Sequence, residues 1–217
     1  MAEIIHQNQP VLAYGTKLEE ATLVVILLHG RGSSAEAMAP LAQELHIEGI
    51  HYLIPQAAHN RWYPNSAFGP LASNEPDLSS ALETIGLLVE SIIAQGFSRQ
   101  QIAFGGFSQG ACLASEYVAC NARKYAGLFV LTGALIGPPG TPRDYPGSFD
   151  GMPVFIGGSD IDPWVSHDLI VETVGIFERM DAAVDFRTYP GMAHTVNQDE
   201  LEAVQSMLAE AVRQSAG

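Results

Sequence analysis

One stretch of sixteen residues decides the fold: Gln101-Ile-Ala-Phe-Gly-Gly-Phe-Ser108-Gln-Gly-Ala-Cys-Leu-Ala-Ser-Glu116. It opens with an apolar run that contains β-branched and aromatic residues, which is typical of a buried strand. It closes with Ala111, Leu113, Ala114 and Val118 at helical spacing. The pattern therefore predicts a strand, a tight turn centred on Ser108, and a helix.

The turn has the form G-x-S-x-G, with Gly106 and Gly110 on either side of Ser108. Such a turn forces its central residue into a strained backbone conformation, so the flanking residues must lack side chains that would collide with strand and helix. The serine is thereby presented at the edge of the sheet, next to the first amides of a helix. The pentapeptide alone is a weak signal in a glycine-rich chain, and an ordinary glycine-rich loop is the alternative. The strand before it and the helix after it favour a nucleophile.

The rest of the chain predicts the elements around this turn. Near-continuous apolar runs predict buried strands, and amphipathic periodicity predicts helices. The strands are expected at 21–28, 50–54, 127–132, 153–158 and 184–189, and residues 10–15 alternate weakly, which predicts an edge strand or a hairpin. The helices are expected at 35–45, 77–94, 165–180 and 198–212. Strands that alternate with helices indicate an α/β fold with a mostly parallel, doubly wound sheet. With 217 residues and no linker, we expect one domain over residues 1–217.

Composition excludes several classes of function. The chain carries 24 acidic and 10 basic residues, for a formal net charge of −14, without a cluster of Lys or Arg. Nucleic acids and anionic membranes need a basic surface, so neither is an expected partner. No apolar run approaches the length of a membrane helix, so we expect no membrane insertion. The composition is compatible with a homodimer and does not require one.

The N-terminal residues lack a basic segment followed by an apolar one, although a mature form could have lost such a signal. The cytoplasm is therefore the expected compartment. The two cysteines, Cys112 and Cys120, lie eight residues apart on one predicted helix, too far for a disulfide. We expect both to be small core residues.

Polar residues follow four of the predicted strands, and ligands bind at the carboxyl ends of strands in such sheets. Ser108 follows the fourth strand, Asp162 the sixth and His194 the last, while the segment His29-Gly-Arg-Gly32 follows the first buried one. The order serine, acid, histidine is the one expected for a nucleophile elbow on this kind of sheet. We therefore predict Ser108 as nucleophile, His194 as general base and then acid, and Asp162 as the residue that orients the histidine.

Other residues compete for these roles. Asp160 is an alternative acid, although Asp162-Pro163 marks the start of the following turn, where the carboxylate should project. His167 lies only five residues after Asp162 and is a poor candidate for the base. We interpret His46, His51 and His59 as surface or packing residues and His6 as terminal. Neither H-E-x-x-H nor a paired Cys/His spacing occurs, so no metal site is expected.

Five segments together resemble the phospholipase/carboxylesterase family of small α/β-hydrolases, which includes the acyl-protein thioesterases. The segments are Leu28-His-Gly-Arg-Gly32, Arg61-Trp-Tyr63, Gly106-Phe-Ser-Gln-Gly110, Asp160-Ile-Asp-Pro163 and Tyr189-Pro-Gly-Met-Ala-His194. The resemblance covers roughly residues 21 to 212. It implies the α/β-hydrolase fold, the second aspartate, Asp162, as the acid, and no cofactor.

The resemblance also implies an oxyanion hole formed by the backbone N–H groups of Arg31 and Gln109, with the ring of His29 hydrogen-bonded inside its loop. The chain departs from the family where Arg31 replaces a commoner apolar residue, where Ser33 and Ser34 replace a frequent acidic residue, and where Pro64 replaces a common Asp. None of these departures touches the triad, and they leave the substrate class open.

The expected function is hydrolysis of carboxylic esters through an acyl-enzyme on Ser108, with small soluble esters favoured. Long acyl thioesters or lysophospholipids are the alternative substrates, and a catalytically silent ligand-binding protein is the alternative of another class. There is no room for a separate lid domain, so the aperiodic segment 56–76 is the expected pocket wall. Trp62 and Trp164 are candidate substrate contacts, with simple packing as the alternative for each. The side chain of Arg31, and as a second choice that of Arg61, is a candidate for selecting substrates that bear a carboxylate, with an outward-pointing side chain as the alternative.

Overall fold

The computed structural model describes residues 5–215 and has a seven-stranded sheet at its centre. The strands are β1 (Val11–Gly15), β2 (Leu23–Leu28), β3 (Ile50–Pro55), β4 (Ile102–Phe107), β5 (Gly127–Leu131), β6 (Met152–Ser159) and β7 (Ala182–Tyr189). Their order across the sheet is β1-β3-β2-β4-β5-β6-β7. β1 pairs antiparallel with β3, and the other neighbouring strands are parallel. The predicted mostly parallel sheet is confirmed, and the segment at 10–15 forms its edge strand.

Helices cover both faces of this sheet: α1 (Ala39–Glu44), α2 (Asp77–Ala94), α3 (Gln109–Cys120), α4 (His167–Arg179) and α5 (Gln198–Ser215). All six residues of β2 are buried, and alternate residues point into two separate apolar clusters. Val24, Ile26 and Leu28 pack in the cluster that includes residues of α2, α3 and α4. The other three β2 side chains pack in the cluster that includes residues of α1 and α5. This two-sided burial explains the uninterrupted apolar run and confirms the doubly wound architecture.

Three local expectations need correction. The single helix expected at 35–45 is a short 3₁₀ turn, Glu36–Met38, followed by α1. The helix expected from Val165 begins at His167, after Ser166 in an extended conformation. Cys112 is buried as expected, whereas Cys120 is exposed at the end of α3, where the helix leaves the core.

Segment 56–76 contains a tight turn at Ala58–Asn60, in which His59 and Asn60 have positive φ, and a 3₁₀ turn at Leu71–Asn74. Trp62 and Tyr63 between them are fully buried. Within residues 5–215, no helix is long and apolar enough to span a membrane.

Candidate active site

Ser108 occupies the tight turn between β4 and α3, in a backbone conformation that non-glycine residues rarely adopt. Its φ is 56° and its ψ is −119°. The Ser108 N–H donates to Leu131 O at 3.0 Å, and the Cys112 N–H donates to Ser108 O at 3.0 Å. A strained residue of this kind persists only when its surroundings hold it, and such residues cluster at functional sites.

Close contacts with neighbouring backbone require glycine at positions 106 and 110 of the turn. A Cβ on Gly106 would lie 2.6 Å from the carbonyl carbon of Gly110, and a Cβ on Gly110 would lie 2.2 Å from the carbonyl oxygen of Leu28. Both distances are far below van der Waals contact. The strand and the helix therefore approach closely enough to present Ser108 only when these positions lack side chains.

Three side chains that are far apart in sequence meet at this edge of the sheet. The Oγ of Ser108 lies 2.8 Å from Nε2 of His194. The Nδ1 of the same ring lies 2.6 Å from Oδ2 of Asp162. The Asp162 side chain is fully buried, and its Oδ1 accepts hydrogen bonds from the N–H groups of Trp164 (2.8 Å) and Val165 (2.9 Å). The carboxylate is thus fixed on one side by backbone and presents its other oxygen to the histidine.

The competing residues lie elsewhere. Oδ1 of Asp160 accepts a hydrogen bond from the N–H of Gly191 at 2.7 Å, so this carboxylate supports the loop that carries His194. The ring of His167 is within hydrogen-bonding distance of Thr188, with Nε2 and Oγ1 separated by 3.0 Å. The ring of Phe107 packs against His194 with 4.9 Å between centroids. Asp162, and not Asp160, is the carboxylate in contact with the histidine.

The loop that follows β2 lies beside Ser108. A Cβ on Gly30 would be 3.5 Å from the Cβ of Ser108. Among residues 5–215, the backbone N–H groups of Arg31 and Gln109 have no hydrogen-bond acceptor. Gln109 is the first residue of α3, and the first N–H groups of a helix have no partner within the helix. The ring of His29 is hydrogen-bonded inside its own loop, as expected, with 2.8 Å between its Nδ1 and Gly30 O.

Trp62 does not line the cleft, contrary to the expectation of a substrate contact. Its side chain has no exposed surface, and its indole N–H donates to the carbonyl oxygen of His29 at 2.9 Å. The side chain of Gln109 holds the same segment, because its Oε1 accepts from Trp62 N–H and its Nε2 donates to Tyr63 O, both at 2.9 Å. The buried indole N–H therefore keeps a hydrogen-bond partner, so inward packing of Trp62 leaves its polar atom satisfied.

A cleft of about 460 Å³ opens at Ser108 and His194. Its apolar wall includes Tyr63, Ala67, Phe68, Cys112 and Val165. Trp164 lines its mouth and is 71% exposed, unlike Trp62. A second cavity of about 490 Å³, between α5 and the β6–β7 edge, contains none of the residues near Ser108.

Arg31 also lines the cleft, and its guanidinium donates to the carbonyl oxygens of Pro64 and Asn65. Asn65 is itself held by the side chain of Asn74, whose Oδ1 accepts from Asn65 N–H at 2.8 Å. The arginine thus ties the loop after β2 to the wall formed by segment 56–76.

Two buried residues carry no marked signal in the sequence. His6, expected to be merely terminal, is buried and contacts Ala58 and Trp62. Glu200 is fully buried in α5; its Oε2 accepts from Asn197 N–H at 2.9 Å, while its Oε1 has no partner among residues 5–215. Burial raises the pKa of Glu200 to about 7. The spacing Asn197-x-x-Glu200 is a helix-capping pattern, which predicts the bond to Asn197 but not the burial.

Comparison with known proteins places this geometry in context. The sequence model of the phospholipase/carboxylesterase family matches residues 13–212. The chain is 26% identical over 219 residues to acyl-protein thioesterase 1 of Saccharomyces cerevisiae, covering 91% of this chain and 96% of the yeast protein. It is likewise 26% identical over 224 residues to acyl-protein thioesterase 1 of Kluyveromyces lactis, with coverage of 91% and 96%.

Among solved structures, a phospholipase/carboxylesterase from Dyadobacter fermentans is similar with a TM-score of 0.89 and 41% identity, covering 93% of this chain and 97% of that one. The carboxylesterase of Bacillus cereus has a TM-score of 0.73 at 20% identity, with coverage of 94% and 95%, which supports the fold alone.

Proposed function

The chain belongs to the phospholipase/carboxylesterase family of hydrolases, and from that premise we propose that it cleaves carboxylic esters through an acyl-enzyme on Ser108. The observation that carries the proposal is the continuous hydrogen-bonded chain from Ser108 Oγ through His194 to Asp162, with distances of 2.8 and 2.6 Å. Serine is a weak nucleophile at its ordinary pKa, and an adjacent imidazole held by a carboxylate supplies the base it needs.

In the proposed reaction, Ser108 Oγ attacks the carbonyl carbon while His194 Nε2 takes the hydroxyl proton. The Asp162 carboxylate stabilises the imidazolium through Nδ1–H. The N–H groups of Arg31 and Gln109 donate to the oxyanion of the tetrahedral intermediate. His194 then protonates the leaving alkoxide or thiolate, and the acyl group stays on Ser108. A water molecule, deprotonated by His194, attacks the acyl-enzyme. His194 then returns the proton to Ser108 Oγ as the bond to the acyl group breaks, which releases the carboxylic acid and restores the free enzyme.

The oxyanion assignment is supported by position and by free hydrogen-bonding capacity. The two N–H groups belong to the loop that lies beside Ser108 and to the first residue of α3, and neither has an acceptor within residues 5–215. The N-terminus of a helix favours negative charge. Each such donor contributes on the order of 3 kcal/mol to the transition state.

Ser108→Ala tests the nucleophile, with Ser79→Ala as the control because Ser79 is an exposed serine of α2 that does not line the cleft. We expect Ser108→Ala to lower kcat for a p-nitrophenyl ester by at least about 10⁴ and Ser79→Ala to leave kcat nearly unchanged. A Ser108→Ala variant with ordinary turnover would refute the proposal.

For the substrate we propose small soluble esters. The bonds from Arg31 to Pro64 and Asn65 hold the loop after β2 against segment 56–76 beside the cleft, which supports a short acyl site. A second candidate is the hydrolysis of long acyl thioesters. It is favoured by Trp164 and Ile161, apolar side chains that are 71% and 62% exposed beside Asp162. A series of p-nitrophenyl esters of increasing chain length separates the two, because kcat/KM should peak at short chains for the first and at long chains for the second.

Arg31 carries the finer proposal of selectivity for substrates that bear a carboxylate. Its guanidinium lines the cleft and bonds to carbonyl oxygens, and no carboxylate within residues 5–215 pairs with it. We expect Arg31→Leu to lower kcat/KM more for carboxylated than for neutral esters. Arg61→Leu is the control, since Arg61 is exposed and does not line the cleft. Equal losses on both kinds of ester would end this proposal.

A further inference from the structure

The turn at residues 57–62 is strained and contacts the loop that follows β2. His59 and Asn60 are consecutive non-glycine residues with φ of 55° and 56°. Left-handed conformations at two such residues are unfavourable and persist only where the surrounding structure fixes them. Neither position is glycine, the residue that adopts this conformation without strain. Contacts with other parts of the molecule must therefore hold this turn.

The strained turn is bonded to the loop on both sides of Arg31. The N–H of Gly32 donates to Asn60 O at 2.7 Å. The indole N–H of Trp62 donates to His29 O at 2.9 Å. The two bonds flank Arg31, the residue whose N–H the proposed mechanism directs at the oxyanion. The position of that N–H therefore depends on the position of the turn.

Two buried histidines hold the turn in place. The N–H of Ala57 donates to Nε2 of His29 at 3.0 Å, and the N–H of Ala58 donates to Nδ1 of His6 at 3.0 Å. A ring nitrogen that accepts a hydrogen bond carries no proton, so each ring is neutral with its proton on the other nitrogen. In His6 that other nitrogen is Nε2, which donates to Trp62 O at 3.1 Å. One imidazole thus bonds both ends of the turn.

The rings also pack on the indole. The centroids of His6 and His29 lie 5.5 and 5.2 Å from that of Trp62. Burial is the largest effect on both imidazoles and lowers the pKa of each, which favours the neutral form that the hydrogen bonds require. The backbone N–H of His6 donates to Ser80 Oγ at 3.2 Å, which fixes its segment against α2.

We propose that His6 is a positioning residue for the oxyanion hole: its neutral imidazole bonds Ala58 and Trp62, and the turn between them holds the N–H of Arg31 toward the reacting carbonyl. The inference rests on the proposed function. It gives a role in the reaction to a residue 102 positions before Ser108 in the sequence that contacts no residue of the triad.

Three substitutions separate the two hydrogen bonds of His6. His6→Gln keeps a donor that can reach Trp62 O, His6→Asn keeps an acceptor for Ala58 N–H, and His6→Phe keeps only the ring. The matched control is His51→Phe, since His51 is another buried histidine with a backbone bond, from Nδ1 to Thr16 O at 2.8 Å, on a strand away from the cleft.

The measurements are kcat and KM for a p-nitrophenyl ester and the inhibition constant of a trifluoromethyl ketone, whose adduct with the serine is tetrahedral and carries the oxyanion. We expect His6→Phe to lower kcat and inhibitor affinity together by about 10- to 100-fold, less than removal of a whole donor, with KM within about twofold. His6→Gln or His6→Asn should restore part of the loss, and His51→Phe should change neither value.

Each outcome decides the question. If His6→Phe keeps wild-type kcat and inhibitor affinity, or loses no more than His51→Phe, the positioning role is wrong. Circular dichroism and thermal unfolding establish that each variant is folded at the assay temperature; if His6→Phe does not fold, the same comparison is made with His6→Gln and His6→Asn. An active Ser108→Ala variant would instead refute the proposed function, so the two failures are distinguishable.

Discussion

Glu200 makes the stability of the protein depend on pH. Its side chain is fully buried, Oε1 has no hydrogen-bond partner within residues 5–215, and that oxygen packs against the backbone of Gly157, where a Cβ would lie only 2.2 Å from it. Burial, the largest effect, raises the pKa of this carboxyl from 4.5 to about 7. The folded protein therefore binds a proton that the unfolded chain has released.

The sign and magnitude follow from linkage. Between the unfolded and folded pKa values of Glu200, the folded state holds more protons, so stability falls as pH rises through this interval and is constant above it. The gap of about 2.5 between the two pKa values corresponds to about 3 kcal/mol at about 1.4 kcal/mol per pKa unit. For a chain of this length, that is a change of about 6–12 °C in Tm.

Glu200→Gln isolates this contribution, because an amide keeps an acceptor for Asn197 N–H and does not ionise. We expect the variant to match the wild type in free energy of unfolding near pH 4.5 and to exceed it by up to about 3 kcal/mol at pH 8. Urea unfolding at both pH values is the assay. Glu202→Gln, an exposed glutamate of the same helix, should show no such difference. A wild-type-to-variant difference that is the same at both pH values would refute the reasoning.

Two further predictions concern the site and the turn that presents Ser108. Asp162→Asn should lower kcat by about 10⁴, because its amide nitrogen faces His194 Nδ1 and favours the wrong tautomer; Asp160→Asn keeps an acceptor for Gly191 N–H and should change kcat little, and equal losses would contradict the assignment. Gly110→Ala should lower the free energy of unfolding by at least about 3 kcal/mol because its Cβ would clash with Leu28. The control is Gly86→Ala in α2, where the nearest atom to a Cβ is 3.9 Å away, and it should raise the stability by roughly 0.5–1 kcal/mol in thermal unfolding. A tolerated Gly110→Ala would contradict the steric account.

The sequence predicts the sheet and the turn at Ser108 because their signals are local. The apolar run of β2 follows from burial on both faces, and the glycines beside Ser108 follow from the close approach of strand and helix. The order of Ser108, Asp162 and His194 predicts their meeting because parallel strands end at one edge of the sheet. Their catalytic roles stay predictions.

Other features depend on contacts between distant segments and have no local pattern. An aromatic residue in an aperiodic loop indicates order but not direction, so the inward packing of Trp62 could not be predicted. The contact of His6 with Trp62 spans 56 residues and leaves no spacing to detect. The burial of Glu200 likewise depends on Gly157 in a different strand. Cys120 lies at a helix end, where periodicity does not say whether the core continues.

Direct observation of the acyl group on Ser108 tests the central claim most directly. The protein is mixed with a p-nitrophenyl ester, quenched in acid within the first turnover, digested and analysed by mass spectrometry. We expect the acyl mass on the peptide that contains Ser108, with none on the Ser108→Ala variant, because the hydroxyl of this residue is 2.8 Å from the histidine that would activate it. An acyl group on another residue, or undiminished hydrolysis by Ser108→Ala, would contradict the account.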